Sequence, residues 1–425
     1  MVVIDLDVRG KSNVIVGNGC AGAECIKALR QSGYRGEIHL LTDSRWPIYN
    51  PMLTTYYVAG KIGFEGLFSY GAGQEFYLKY GVDVYPESVV VALDAKQKVV
   101  RAKSGLEIRY DQCLVATGAT PVLPLIEGMG SDRVYTLRTV EDAIRLKKAM
   151  TQAPKKVLVI GASMVGIKVM ELFYKVGVEV CLADLAEHIF PLSAHPECAR
   201  IVEERLEQRG IKLRFGAGIE KVEETSRGVR AYFKGGTESE EADLLVICIG
   251  VKANTGFIDR KQVAIDRGIL VDEHMRTSIP GLYAAGDVAQ GKNLLSGESE
   301  MIGLWSNARS QGRTAGRNMA GENESFRGNI PHNITHFMGM DFVGIGAVND
   351  HDRMEKKYDG KTYLQLFWKD GLLAGANFLD NYTGSGVVKN ALMKGLRHDG
   401  SSLSDSVPVI QNQLIKNILK EVQRA

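Results

Sequence analysis

Two short glycine-rich runs have the composition to cradle a phosphate. Gly17-Asn18-Gly19-Cys20-Ala21-Gly22 and, 144 positions later, Gly161-Ala162-Ser163-Met164-Val165-Gly166 each follow an apolar β-rich run and open a helical stretch. Glycines in such a loop let the backbone turn tightly and approach a pyrophosphate. The N–H groups and dipole of the helix behind it favour the negative charge. Ser163 replaces the middle glycine of the second loop and is small enough to keep that approach open. An acidic residue completes each unit: Asp43 stands 26 positions after Gly17, and Asp184 stands 23 after Gly161. A carboxylate there accepts hydrogen bonds from a ribose 2′-hydroxyl. It also repels a 2′-phosphate, so Asp184 favours NAD over NADP.

The elements that must hold these loops are legible around them. Residues 13–16 read as a strand, a helix follows to about Gln31, Gly33 stops it, and 38–41 is the next strand. Residues 157–160, a helix to about Lys175, Gly177 and a strand at 178–183 repeat the order. The repetition implies two separate nucleotide-binding domains. Between them, 99–102 and 110–117 have hairpin character; after them, 212–215, 229–233 and 244–250 read as short strands. From about Gly328 the texture changes. Residues 337–348, 363–368 and 372–379 alternate like antiparallel strands, with a hairpin turn at Trp368-Lys369-Asp370-Gly371, and the last 40 residues read as helical.

The bulk numbers set limits. At 425 residues the chain has room for two or three domains, and its 45% hydrophobic and 24% charged residues suit a globular protein. A formal charge of +2 argues against a nucleic-acid partner. The sequence contains no 18-residue apolar run for a membrane span, and its acidic start does not read as a secretory signal. Cys20, Cys25, Cys113, Cys181, Cys198 and Cys248 are scattered without metal-ligand spacing, which points to a reducing cytoplasm and no bound metal. Cys20 and Cys25 share a helix, but five residues place them roughly 140° apart, so core packing is expected of them.

Two further motifs carry a family resemblance. Cys113-Leu-Val-Ala-Thr-Gly-Ala-Thr-Pro121 and Thr277-Ser-Ile-Pro-Gly-Leu-Tyr-Ala-Ala-Gly-Asp-Val288 resemble the "ATGxxP" and "T(S)xPGxYAAGD" segments of flavoproteins with two dinucleotide domains. The chain thus resembles the pyridine-nucleotide-dependent FAD oxidoreductases of ferredoxin-reductase and nitrite-reductase type. That resemblance implies an α/β fold with two Rossmann-like domains and a C-terminal α+β domain. FAD would take 1–118 and 245–327, NAD the inserted 119–244, and 328–425 would form an interface. Gly17, Gly19, Ala21 and Gly22 would hold the FAD pyrophosphate, with Asp43 or Ser44 at the adenosine ribose. Val89, Ala116, Thr117 and Gly118 would lie along the FAD, and Arg138 would reach its pyrophosphate. In the "AAGD" segment, Gly286 and Asp287 would meet the ribityl region and Val288 the flavin. Gly161, Gly166, Asp184 and Gly250 would line the NAD site.

One segment narrows the resemblance further. Leu304-Trp-Ser-Asn-Ala-Arg-Ser-Gln-Gly312 is similar to a "TWxNAxxQG" stretch of oxygenase-type ferredoxin reductases. Trp305 would there be a catalytic wall that excludes water and holds the rings parallel. Other positions depart from the family. Disulfide reductases carry a reactive cysteine soon after the second strand, where this chain reads Trp46-Pro-Ile-Tyr-Asn-Pro-Met-Leu-Thr-Thr-Tyr56. Met52 occupies the cysteine position, and a thioether forms no mixed disulfide. Pro51 and Tyr56 replace an arginine and a lysine of the family pattern, and Lys168 replaces a glutamate two positions after Gly166.

Without a cysteine relay, electrons must leave the flavin directly. NAD(H) exchanges two electrons as hydride and iron–sulfur centres take one, so a flavin converts between them. The expected activity is electron exchange between NAD(H) and a ferredoxin- or rubredoxin-like iron–sulfur protein or subunit. The chain would be a separable reductase, a homodimer among many relatives, or the NAD-coupling subunit of a phenylglyoxylate-type 2-oxoacid dehydrogenase. Two alternatives stay open: an NADH oxidase or small-molecule reductase, and an apoptosis-inducing-factor-like protein whose bound FAD and NAD control association. Lys168 is expected to place positive charge near the flavin or nicotinamide and favour the reduced form. Lys168→Glu should then lower the flavin midpoint potential in a spectroelectrochemical titration; an unchanged potential discards that role.

Overall fold

The computed structural model describes residues 3–4, 12–235, 238–397, 415–416 and 419–420. The acidic start of the chain and most of the expected C-terminal helical stretch lie outside the described residues. The chain separates into two compact units. One comprises Met1–Thr120, Arg138–Ala143 and Val251–Asn329; the other comprises Pro121–Leu137, Ile144–Gly250 and Ile330–Ala425. Each contains a five-stranded parallel sheet with a glycine loop at the end of a central strand, so the fold is α/β with two Rossmann-like domains.

In the first unit, β1 (Ser12–Val16) is buried along its whole length, as a strand covered on both faces must be. It leads into α1 (Cys20–Gln31), then β2 (Glu37–Leu41), β3 (Asp83–Tyr85) and β4 (Gln112–Val115). The sheet runs from the strand Leu282–Ala284 through β4, β1 and β2 to β3, all parallel. A helix, Trp305–Met319, lies against α1. This packing requires glycine: a Cβ on Gly312 would collide with the Ala21 carbonyl, and one on Gly316 with the Cys25 carbonyl. At two contacts four residues apart along each helix, the helices thus approach backbone to backbone.

The second unit repeats the plan. Its strands are β5 (Val134–Tyr135), β6 (Lys156–Ile160), β7 (Glu179–Ala183), β8 (Lys212–Arg214) and β9 (Leu244–Ile247), ordered β5-β9-β6-β7-β8 and parallel. Helix α2 (Met164–Lys175) follows β6, and α3 (Pro196–Glu207) precedes β8. The C-terminal sheet falls in this same unit. It consists of β10 (His332–Phe337), β11 (Met340–Gly346), β12 (Arg353–Tyr358), β13 (Tyr363–Lys369) and β14 (Leu372–Leu379), antiparallel in the order β10-β11-β14-β13-β12, followed by α4 (Ser385–Met393).

The expected run over 337–348 is interrupted, because Met338 and Gly339 both take positive φ and turn the chain between β10 and β11. The turn after Trp368 forms as expected, with Asp370 at φ 52° and Gly371 at φ 73°, the pairing a tight hairpin demands. The C-terminal sheet is joined to the Rossmann-like part by the loop before α3. Phe190 stacks on Phe342 with ring centroids 4.4 Å apart, and buried Asn377 donates to the Ser193 carbonyl at 2.7 Å and accepts from His195 N–H at 2.8 Å. Among the described residues no helix is long and apolar enough to cross a membrane.

The α1 crossing gives a direct test. Gly312→Ala should destabilise the protein by about 1–3 kcal/mol, the usual cost of overpacking a tight core, read as a lower urea midpoint. An unchanged midpoint would mean that the two backbones do not meet as described.

Candidate functional site

The loop after β1 is closed by glycine at two positions and left open at a third. Gly17 has φ 114°, and a Cβ on it would strike the Ala116 carbonyl; a Cβ on Gly22 would strike the Gly17 carbonyl. At Gly19, the N-cap of α1, an added Cβ meets nothing within 4 Å. The space beside Gly19, at the N-terminus of α1, is therefore open, which leaves room for an anion to approach the helix end. Ala21 is the point of convergence. Its Cβ lies 3.2 Å from where Gly286 would carry one, and its carbonyl faces Gly312.

The later motifs close around this loop. Gly286 takes φ 85° and its N–H donates to buried Gln311 Oε1 at 2.8 Å. Asp287 follows, and its carboxylate receives Arg138 Nη2 at 2.6 Å. Val288 is fully buried beneath. Thr117 Oγ1 donates to the Asn254 carbonyl at 2.8 Å, Asn254 Nδ2 returns a bond to the Thr117 carbonyl at 3.0 Å, and Gly118 takes φ 65°. Trp305 begins its helix partly buried against the same core, and its carbonyl lies 3.9 Å from the Cys20 thiol. At the far end, Asp43 is exposed just beyond β2, and Ser44 Oγ accepts from Trp46 N–H at 3.1 Å. The bond from Ser88 N–H to the Thr42 carbonyl, 2.7 Å, brings exposed Val89 to the same strand end.

The second unit repeats this construction. Gly161 has φ 110° and leaves no room for a Cβ beneath the Cys248 carbonyl; Gly166 leaves none beside the Gly161 carbonyl. Ser163 stands at the N-cap position of α2 without a side-chain capping bond; its Oγ donates instead to the Cys248 carbonyl at 3.2 Å. Asp184 is tied into its loop as Asp43 is not: its carboxylate accepts Ala162 N–H at 2.6 Å and Ala186 N–H at 2.8 Å. Gly250 takes φ 110° with open space around it. Both loops thus share the tight glycine turn at the start of a helix, the first with open space beside its middle glycine, and each has a carboxylate at the end of the following strand.

The thiols stand apart from this chemistry. All six cysteines are free and buried. Burial pushes the Cys20 thiol up to about 12, and Cys25 faces Met319 Sδ at 3.7 Å. Met52 is 64% exposed on the turn Pro51–Leu53, where Asn50 Oδ1 accepts its N–H at 3.0 Å. Lys168 is engaged on α2, donating to Glu171 at 2.7 Å and to the His336 carbonyl at 2.6 Å. Glu171 also receives Lys175 and, from the turn before β11, Met338 N–H at 2.9 Å. Gln311, Asn254, Gly312 and Gly316 were not singled out from sequence as site residues. The four-residue spacing of Gly312 and Gly316 is the readable signal for those two.

Comparison with known proteins gives the family and the fold. The family model described as pyridine nucleotide-disulphide oxidoreductase matches residues 11–312. The epsilon subunit of NADH-dependent phenylglyoxylate dehydrogenase from Aromatoleum evansii is 29% identical, over 92% of this chain and 93% of its own length. Rubredoxin-NAD(+) reductase of Pseudomonas putida is 27% identical, over 82% of this chain and 90% of its own. The solved water-forming NADH oxidase of Lactobacillus brevis, bound to NADH, has the same fold, with a TM-score of 0.87, 21% identity, and coverage of 98% and 99% of the two chains.

The Glu171 cluster sets a pH dependence. Burial alone would raise this carboxyl, but the bonds from Lys168, Lys175 and Met338 N–H outweigh it and hold it near about 2. A carboxylate held below its unfolded value of roughly 4.3 stabilises the fold above that pH, and the contribution is lost as pH falls toward the folded value. Glu171→Gln should therefore cost on the order of 2–3 kcal/mol at pH 7. The gap from the native chain should close between roughly pH 4.5 and 2. Urea melts across that range check it; a gap independent of pH would mean that the carboxylate charge is not what matters.

Proposed function

The chain belongs to the pyridine nucleotide-disulphide oxidoreductase family, and we propose that it exchanges electrons between NAD(H) and an iron–sulfur protein or subunit. It is an NAD(H)-dependent FAD oxidoreductase. FAD, when bound, supplies the conversion between a hydride pair and single electrons. On this reading the β1 loop holds the FAD pyrophosphate at Gly17, Gly19, Ala21 and Gly22. Asp43 or Ser44 takes the adenosine ribose beside Val89, while Ala116, Thr117 and Gly118 flank the cofactor. Arg138 neutralises phosphate charge, and Gly286, Asp287 and Val288 orient the flavin end. Gly161, Gly166 and Gly250 hold NAD(H), and Asp184 excludes a 2′-phosphate by charge. Trp305 provides a flat apolar wall that keeps water out, and Lys168 adds a positive charge held by Glu171.

The observation that carries the reading is the absence of a usable thiol. The exposed side chain at the disulfide-reductase cysteine position is Met52, and the six cysteines are buried. Electrons that cannot pass through a mixed disulfide leave the flavin directly. On this reading the iron–sulfur centre belongs to another chain. The rubredoxin reductase relative supports a separable carrier; the phenylglyoxylate dehydrogenase relative supports a role as the NAD-coupling subunit of a 2-oxoacid dehydrogenase complex. Free thiols throughout suit the cytoplasm.

The test is anaerobic reduction of the FAD-loaded protein by NADH, then rapid mixing with ferredoxin or rubredoxin and, in parallel, with air. Fast reoxidation by the iron–sulfur protein and slow reoxidation by air are expected. Fast reoxidation by air alone would make the chain an NADH oxidase.

A further inference from the structure

We propose that Cys20, Tyr70 and Glu24 form a proton exit from the flavin-binding loop, carrying one proton to the surface for each NADH oxidised. The exit rests on the electron exchange proposed above and supplies the step that completes it.

The chemistry of that exchange leaves a proton behind. NADH gives up a hydride, which is one proton and two electrons, whereas one-electron carriers take the electrons alone. NADH and two oxidised carriers thus yield NAD, two reduced carriers and one proton. On this reading the proton is set free in a site that Trp305 closes to water, so it needs a path through the protein.

A hydrogen-bonded line leads outward from the loop. Cys20 opens α1 between Gly19 and Ala21 and is 5% exposed. Glu24 stands one turn further along α1, on the same side, and is equally buried. Tyr70 bridges them: its hydroxyl is 3.8 Å from the Cys20 thiol and donates to Glu24 Oε1 at 2.8 Å. Phe76 packs edge-on against the Tyr70 ring, with centroids 5.4 Å apart, and holds that hydroxyl in place. At the inner end the thiol faces the Trp305 carbonyl at 3.9 Å, and the Asp287 carboxylate is near enough for its charge to act on it. At the outer end Glu24 Oε1 receives Lys27 at 2.9 Å and faces Arg309 Nε at 3.7 Å, and both of these side chains reach solvent.

Protonation sets the direction of the line. Burial raises both the Cys20 thiol and the Tyr70 phenol, so both keep their hydrogens at neutral pH. Burial would raise Glu24 as well, but the bonds from Lys27 and Tyr70 outweigh it and hold the carboxyl below its usual range. Two neutral donors therefore stand in front of an ionised acceptor. Because the Tyr70 hydrogen points to Glu24, its oxygen is free to accept the thiol hydrogen. That hydrogen has two acceptors, the Trp305 carbonyl and Tyr70, and rotation about the Cβ–Sγ bond alternates between them. In one passage Tyr70 gives its hydrogen to Glu24 and takes that of Cys20, Cys20 takes the proton released in the site, and Glu24 gives its proton to water beside Lys27. Only S–H and O–H bonds break and form, and the sulfur is neither oxidised nor reduced.

The experiment reduces the FAD-loaded full chain with one equivalent of NADH without oxygen, then mixes it with ferricyanide, a one-electron acceptor that takes no proton. Flavin absorbance follows the electrons, and a pH-indicator dye in weakly buffered solution follows the proton. Native protein is compared with Tyr70→Phe, which keeps the ring and cuts the line, and with Glu24→Gln. NADH should reduce all three at the same rate, because hydride transfer does not use the exit. Proton release should slow at least about tenfold in both variants. Release at the native rate in both variants overturns the exit. An equal slowing of the NADH step also overturns it, because the damage then lies in the cofactor site. The function proposed above fails separately: a native chain that passes electrons to ferricyanide but to neither ferredoxin nor rubredoxin is no iron–sulfur reductase, and the dye signal still decides the exit.

Discussion

The first unit is organised by contacts that only a missing side chain permits. At Gly312 and Gly316 the Trp305–Met319 helix touches the α1 carbonyls, and at Gly17 and Gly22 the phosphate loop folds onto itself and onto Ala116. A Cβ at any of these positions would have to displace backbone, which well-packed interiors resist. The consequence spreads outward from Ala21. One small residue meets Gly286 on one side and Gly312 on the other, so the loop, the Asp287 segment and the Trp305 helix share a single reference point. The Gly286–Gln311 bond then locks the last two together.

The second unit solves the same problem with one change. Gly161 and Gly166 repeat the steric roles of Gly17 and Gly22, even to the bond from the first glycine N–H to the end of the neighbouring strand. The difference lies in the acid. Asp184 accepts two amides of its own loops, whereas Asp43 stands exposed. An aspartate already bonded to backbone is held in one orientation before any ribose arrives. That preorganisation reduces the ordering cost of binding.

Much of this was legible in the residues because the signals are local. The strand, glycine loop and helix of each unit follow from apolar periodicity and from glycine's freedom at positive φ, and the structure places their ends within a residue or two of expectation. The Asp370-Gly371 hairpin was readable for the same reason. What escaped were partners distant in the chain. Lys168 reads as a charge reversal, and its bond to Glu171 is local, but its bond to the His336 carbonyl depends on a strand more than 160 residues later. The break at Met338 was hidden because Gly339 sits inside an otherwise alternating run, and Met at positive φ has no sequence signature.

The exposure of Met52 also decides how this protein ages in air. A surface cysteine at that turn would be open to alkylation and would oxidise through sulfinic acid to states that cells rarely reverse. A surface methionine gains one oxygen to become a sulfoxide, which dedicated reductases return to the thioether. With all six thiols sealed inside the two units, oxidative injury at this turn falls on a side chain that can be repaired.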